Sequence, residues 1–195
     1  MMTFSHPTTI LIARPTQAGK TFFFKQILEH QLILPSTSRV IFVVDENGPN
    51  LSDVKLLDRT IEDIQGMKNL IDILPTIEAD EVNLVVLDDQ MSEAGKLEET
   101  SNLFIKESHH RNNTVLLRVQ NVFDKQNVTS TISLNSPYMV LFKNAPDDGQ
   151  MRSIAQQVFP IKVKVFIDSF REATKKDYGS LHALTFNPVR VSARV

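Results

Sequence analysis

The chain has 195 residues, a formal net charge of −2, 42% hydrophobic and 23% charged residues. This balance predicts one domain over 1–195 with a core that needs no covalent staple, and it excludes a polycation that coats nucleic acid through its global field. The absence of cysteine excludes disulfides, thiolate metal sites and cysteine nucleophiles, and it fits a reducing compartment.

The opening residues MMTFSHPTT lack the basic stretch and long apolar run of a signal peptide. No later window reaches the roughly 18 apolar residues of a membrane span. The expectation is a soluble, intracellular protein without a membrane span. Thr8 to Ala13 is apolar and β-branched and reads as a buried strand. Lys20 to Leu34 carries apolar residues at helical spacing and stops at Pro35. Val40 to Val44 is a second strand, ended by the turn-rich DENGPN, and Leu51 to Ile64 is ambiguous. Gly66 to Leu74 reads as a short helix, and Asn83 to Leu87 as a third buried strand running into Asp88 and Asp89.

Lys96 to Ser108 has helical spacing, and Thr114 to Val119 is a fourth strand ending at Gln120 and Asn121. Tyr138 to Phe142 is a fifth. Met151 to Phe159 and Val163 to Ala173 read as helices, and Leu181 to Phe186 as a last strand or hairpin arm. Strands alternating with helices predict an α/β fold: a mainly parallel central sheet flanked by helices on both faces.

The segment TTILIARPTQAGKTFFFKQIL runs strand, loop, GKT, helix. A loop in that position aims backbone N–H groups at a phosphate, and the helix N-terminus adds a favourable field. Pro15, Thr16, Gln17, Ala18 and Gly19 are the cradle candidates. Lys20 would reach the β- and γ-phosphates of ATP, and the Thr21 hydroxyl would hold Mg²⁺. The first glycine of the usual G-x-x-x-x-G-K-T pattern is Arg14 here. NLVVLDD ends an apolar strand in two carboxylates. Ligands of open α/β sheets sit beyond such strand ends, so Asp88 is the candidate for the Mg²⁺-linked acid and Asp89 for the group that polarises the attacking water, the bland alternative being acids that simply end a strand. Gln120 is a candidate to sense the γ-phosphate or orient water. Arg111, in ESHHRNN, is a candidate to reach a neighbouring subunit's γ-phosphate. The adjacent His109 and His110 do not converge on one metal. Arg118, inside the fourth strand, is out of place there and is expected on an exposed face or at a subunit contact.

Together ARPTQAGKTFF, NLVVLDDQM, ESHHRNNTVLLRVQNVF and TISLNSPYMVLFKNAPDDGQMRSIAQQVFP resemble the FtsK/HerA-type DNA-packaging ATPases of Polintons, adintoviruses and related viruses. The poxvirus-type packaging ATPase is a more distant relative, and FREATKKDYGSLHALTFNP is similar to the group's C-terminal segment. The resemblance implies a RecA-like P-loop NTPase of the ASCE type. In it, the strand bearing Gln120 lies between the phosphate-loop strand and the Asp88 strand. It implies a ring of identical subunits that hydrolyses ATP and drives double-stranded DNA into a viral capsid, at an assembly site in the host cell. By motif match, Lys20 and Thr21 fall on the phosphate-loop lysine and hydroxyl. Asp88 falls on the metal-linked acid, Asp89 on the catalytic acid and Gln120 on the polar sensor. The family pattern has GPT where this chain has Arg14-Pro15-Thr16, and an apolar residue where it has Arg118.

Three readings follow: a packaging motor, a homologue with weakened or no turnover that keeps a binding or assembly role, and a small-molecule P-loop kinase. Lys125, Lys175 and Lys176 are basic residues that would contact DNA or simply carry surface charge.

Overall fold

TILIA, at Thr9–Ala13, is buried at every position, as a strand covered on both faces requires. The same holds for NTVLLRV at Asn113–Val119. The computed structural model describes residues 3–13, 20–44, 60–77, 81–88, 112–119, 132, 135–143, 148–175, 179–185 and 191–194. At 20–22, 44, 60, 88, 148, 150 and 191–194 it describes the backbone alone.

The strands are β1 (Phe4–Ser5), β2 (Thr9–Ala13), β3 (Ile33–Leu34), β4 (Arg39–Val44), β5 (Thr60–Gln65), β6 (Asn83–Asp88), β7 (Asn113–Val119), β8 (Tyr138–Phe142), β9 (Ser180–Leu184) and β10 (Val191–Arg194). The described helices are α1 (Lys20–Glu29), α2 (Gly66–Ile73), α3 (Asp148–Val158) and α4 (Val163–Ala173). The central sheet has eight strands in the order β10-β9-β8-β2-β7-β6-β4-β5. Every pairing from β8 across to β5 is parallel. β9 runs antiparallel to β8, and β10 antiparallel to β9.

Alternation along each strand divides the core in two. Ile10, Ile12, Phe42, Leu84, Val86, Leu116 and Val140 meet Phe23, Phe24, Ile27 and Leu28 of α1. On the opposite face, Leu11, Ile41, Val43, Val85, Leu87, Val115 and Leu117 meet Met67 and Leu70 of α2, Ile154 of α3, and Phe166 and Phe170 of α4. Each such side chain contributes about 1.5–3 kcal/mol on burial. The parallel strands therefore sit between two helical layers, and their carboxyl ends share one edge of the sheet.

Three sequence expectations change. The helix expected to reach Leu34 ends at Glu29. Beyond it, Ile33–Leu34 pairs with Phe4–Ser5 in a small parallel sheet, and Tyr138 Oη lies 3.0 Å from Ser5 Oγ. The ambiguous stretch before Gly66 supplies an edge strand, β5. Glu62 of that strand accepts two bonds from Arg39 on β4, at 3.1 and 2.8 Å. A further strand, β10, covers β9. The expected helix over 96–108 lies outside the described residues.

Candidate functional site

The chain leaves the sheet at Ala13, the end of β2, and re-enters regular structure at Lys20, the first residue of α1. Phe23, Phe24, Ile27 and Leu28 are all buried against the sheet, which fixes where α1 begins. The first turn carries no acidic residue, so nothing there opposes the positive end of the helix dipole. Lys20 and Thr21 open the helix. Arg14, Pro15, Thr16, Gln17, Ala18 and Gly19 lie outside the described residues.

The strand register aligns the other predicted positions. Ala13 is the partner of Val119 on β7, and Gln120 follows Val119 in sequence. Asp88, the last residue of β6, is the partner of Arg118 on β7. The strand that leads into Gln120 therefore lies between the β2 strand and the Asp88 strand, as the resemblance implied. With strands about 4.8 Å apart, the Cα of Asp88 sits about 10 Å across the sheet from β2. Asp89, Gln120 and Arg111 lie outside the described residues, as do His109, His110, Lys125 and Lys176. Lys175 is tied to Glu172, one turn earlier in the chain.

These positions fit a magnesium nucleotide. Threonine and aspartate offer hard oxygen donors, and Mg²⁺ needs only one or two carboxylates besides phosphate oxygens and water. Among the described residues no three histidine, aspartate or glutamate side chains cluster to form an all-protein metal cage.

Arg118 is placed differently from the expectation. It is 8% exposed, inside a strand paired on both sides, with Ile12 of β2 and Asp88 of β6 as its register partners. The expected exposed face is corrected: α1 covers the layer in which Leu116 packs, two residues before Arg118 on the same face. The signal was legible in part. Arg118 shares strand parity with Thr114 and Leu116, so a buried β7 forces it inward.

Similarity to solved structures bears on the fold. The genome packaging NTPase B204 from Sulfolobus turreted icosahedral virus 2, in complex with AMPPCP, superposes with a TM-score of 0.61 at 11% identity. The match covers 97% of this chain and 98% of that one. The shared fold is RecA-like, a mainly parallel central sheet flanked by helices. Structures of B204 with ATP-gammaS and with sulfate give TM-scores of 0.59 and 0.60, each at 11% identity. Their matches cover 97% of this chain and 98% of the B204 chain in the first case, and 95% and 94% in the second. No family model and no curated protein matches this chain. Among the described residues no helix is long and apolar enough to cross a membrane.

Proposed function

We propose that this chain is an ATP-hydrolysing motor of the FtsK/HerA type, a single domain over 1–195 that packages double-stranded viral DNA into a capsid as a ring of identical subunits. The observation that carries this reading is the order β2-β7-β6. It gathers the GKT helix start, the strand leading to Gln120 and the Asp88 strand end at one edge of the sheet. The full-length likeness to a viral genome packaging NTPase supports it.

In this reading the backbone of Pro15 to Gly19 cradles the phosphates, and Lys20 neutralises the β- and γ-phosphate oxygens. Thr21 and Asp88 hold Mg²⁺, which supplies Lewis-acid charge neutralisation on the phosphate oxygens. Asp89 polarises the attacking water, Gln120 orients it beside the γ-phosphate, and Arg111 of one subunit stabilises charge in the site of the next. Assembly takes place inside the host cell.

The decisive experiment is ATP hydrolysis with and without double-stranded DNA, run beside the oligomer mass. DNA-stimulated turnover by a closed oligomer is expected. Lys20→Ala should lower kcat at least about 100-fold, by loss of transition-state charge stabilisation. An unchanged rate in that variant refutes the assignment of the site. Arg14 favours a second reading, a homologue that binds and assembles but does not hydrolyse, because arginine stands where the loop ordinarily has glycine. Negligible turnover by intact oligomers, restored by Arg14→Gly, would select it.

A further inference from the structure

α2 packs against β4 and β5, and α4 against β9 and β10. Both helices cover the same face of the sheet, so they stand toward its two opposite edges. Among the described residues the exposed large apolar side chains are Leu34, Ile71, Ile161 and Val165. All but Leu34 fall on the outer stripes of these two helices. Ile161, in the turn before α4, is 95% exposed and Val165 is 56% exposed. At a spacing of four residues they share one face. Ile71 of α2 is 42% exposed.

The charges beside them follow a matching order. On α4, Lys164 and Asp168 are exposed and one turn apart, and on α2 so are Lys68 and Asp72. Among the described residues none of the four takes part in an ion pair. Each helix therefore reads lysine then aspartate toward its C-terminus, with a rise of about 6 Å between them. Val165 adjoins Lys164, and Ile71 adjoins Asp72. Laid antiparallel, the two helices set Lys164 against Asp72, Asp168 against Lys68 and Val165 against Ile71. Ile161 then falls level with Pro75, which is also exposed. A parallel arrangement would set lysine on lysine. α4 against its own copy would set Val165 opposite Asp168, and α2 against its own copy would set Ile71 opposite Lys68. The α4–α2 pairing alone matches both the charges and the apolar side chains. A groove of about 390 Å³ opens between α3 and α4, with Lys164 and Asp168 in its lining, so α3 leaves this stripe uncovered.

Deepening the reading of a ring, and resting on it, we propose that α4 of one copy docks antiparallel on α2 of the next. The two stripes are different surfaces of one chain at opposite edges of the sheet. A head-to-tail contact of this kind adds subunits in one sense and forms a ring when the rotation closes.

The test is sedimentation velocity of the full chain over a concentration series, with and without a non-hydrolysable ATP analogue and duplex DNA. Reversing the α4 charges (Lys164→Glu with Asp168→Lys) should raise the concentration at half-association about tenfold or more, as two exposed pairs become repulsive. Reversing the α2 charges (Lys68→Glu with Asp72→Lys) should do the same. Both reversals in one chain should return the midpoint to near the parent value. Val165→Asp should weaken association with either charge order. All these side chains are exposed, so each variant should melt near the parent temperature. An unchanged midpoint in either reversal, or no recovery in the combined chain, overturns this interface and leaves a ring built on another surface standing. A parent that stays monomeric under every condition refutes the ring reading and the interface with it. Loss of duplex binding in the α4 reversal, with association intact, would assign Lys164 to a phosphodiester partner and also overturns the interface.

Discussion

Gln31 shows how one residue ends an element. Its φ of 48° lies in the left-handed region. Its N–H bonds the carbonyl of Leu28 at 3.2 Å, and the N–H of Leu32 bonds the carbonyl of Ile27 at 2.9 Å. That pair of bonds is a Schellman motif, and the buried Leu32 and Ile27 complete its apolar contact. Glycine is the usual occupant, because a Cβ there meets the neighbouring carbonyl. Gln31→Gly is therefore expected to stabilise the fold by about 0.5–1 kcal/mol, read as a higher urea midpoint with unchanged slope. The sequence signal pointed past this turn to Pro35. The apolar spacing of Leu32 continues the helical pattern on paper, and nothing in QLIL marks a left-handed residue.

At the scale of elements, α4 was legible because its pattern is regular. Phe166, Phe170 and Ala173 are buried at helical spacing, on one stripe facing the sheet. Phe166 also stacks on Phe159, with ring centroids 5.0 Å apart and planes at 25°. Phe159 lies just beyond α3, so this stack joins the two helices. Phe166→Ala should cost about 3–5 kcal/mol, since it removes a fully buried ring and leaves a cavity between α3 and α4. A Tm within a degree of the parent would contradict that placement. β5 was the opposite case. TIEDIQ alternates weakly and carries two acids, as suits an edge strand. Its membership of the sheet depends on β4 and on the paired Arg39 and Glu62. The bonds that Arg39 donates to Glu62 raise the Arg39 pKa above its ordinary value, with burial acting against them.

Across the whole molecule, the start of the chain is held to the centre of the sheet. His6 Nδ1 lies 2.8 Å from Thr114 Oγ1 of β7. Burial lowers the pKa of His6, and a backbone hydrogen bond involving Asn112 opposes that shift. The folded protein therefore favours the neutral ring. Below the ordinary imidazole value of about 6.5, the unfolded chain binds more protons at this site than the folded one. The stabilisation is full above that value and diminishes as pH falls through it toward the lowered folded pKa. Denaturant midpoints measured across this acidic range should fall in the parent and fall less in His6→Gln. Equal slopes would remove His6 from the acid response.

By itself, the sequence determined the strand–GKT–helix order, the acidic end of β6 and the amide end of β7. It also carried a pattern sufficient to name the parallel core. Those features are local, since apolar runs, helical spacing and short motifs depend on neighbours in the chain. The tertiary structure alone decided what lies beside what. It paired the short β1 and β3, enlisted the weakly patterned β5 and covered β9 with β10, because hydrogen bonding to a distant strand outweighs local propensity at an edge. It also turned Arg118 inward. A charged residue in a sequence suggests surface, but a central strand covered by helical layers on both faces has no solvent face, and its register makes Arg118 the backbone partner of Asp88.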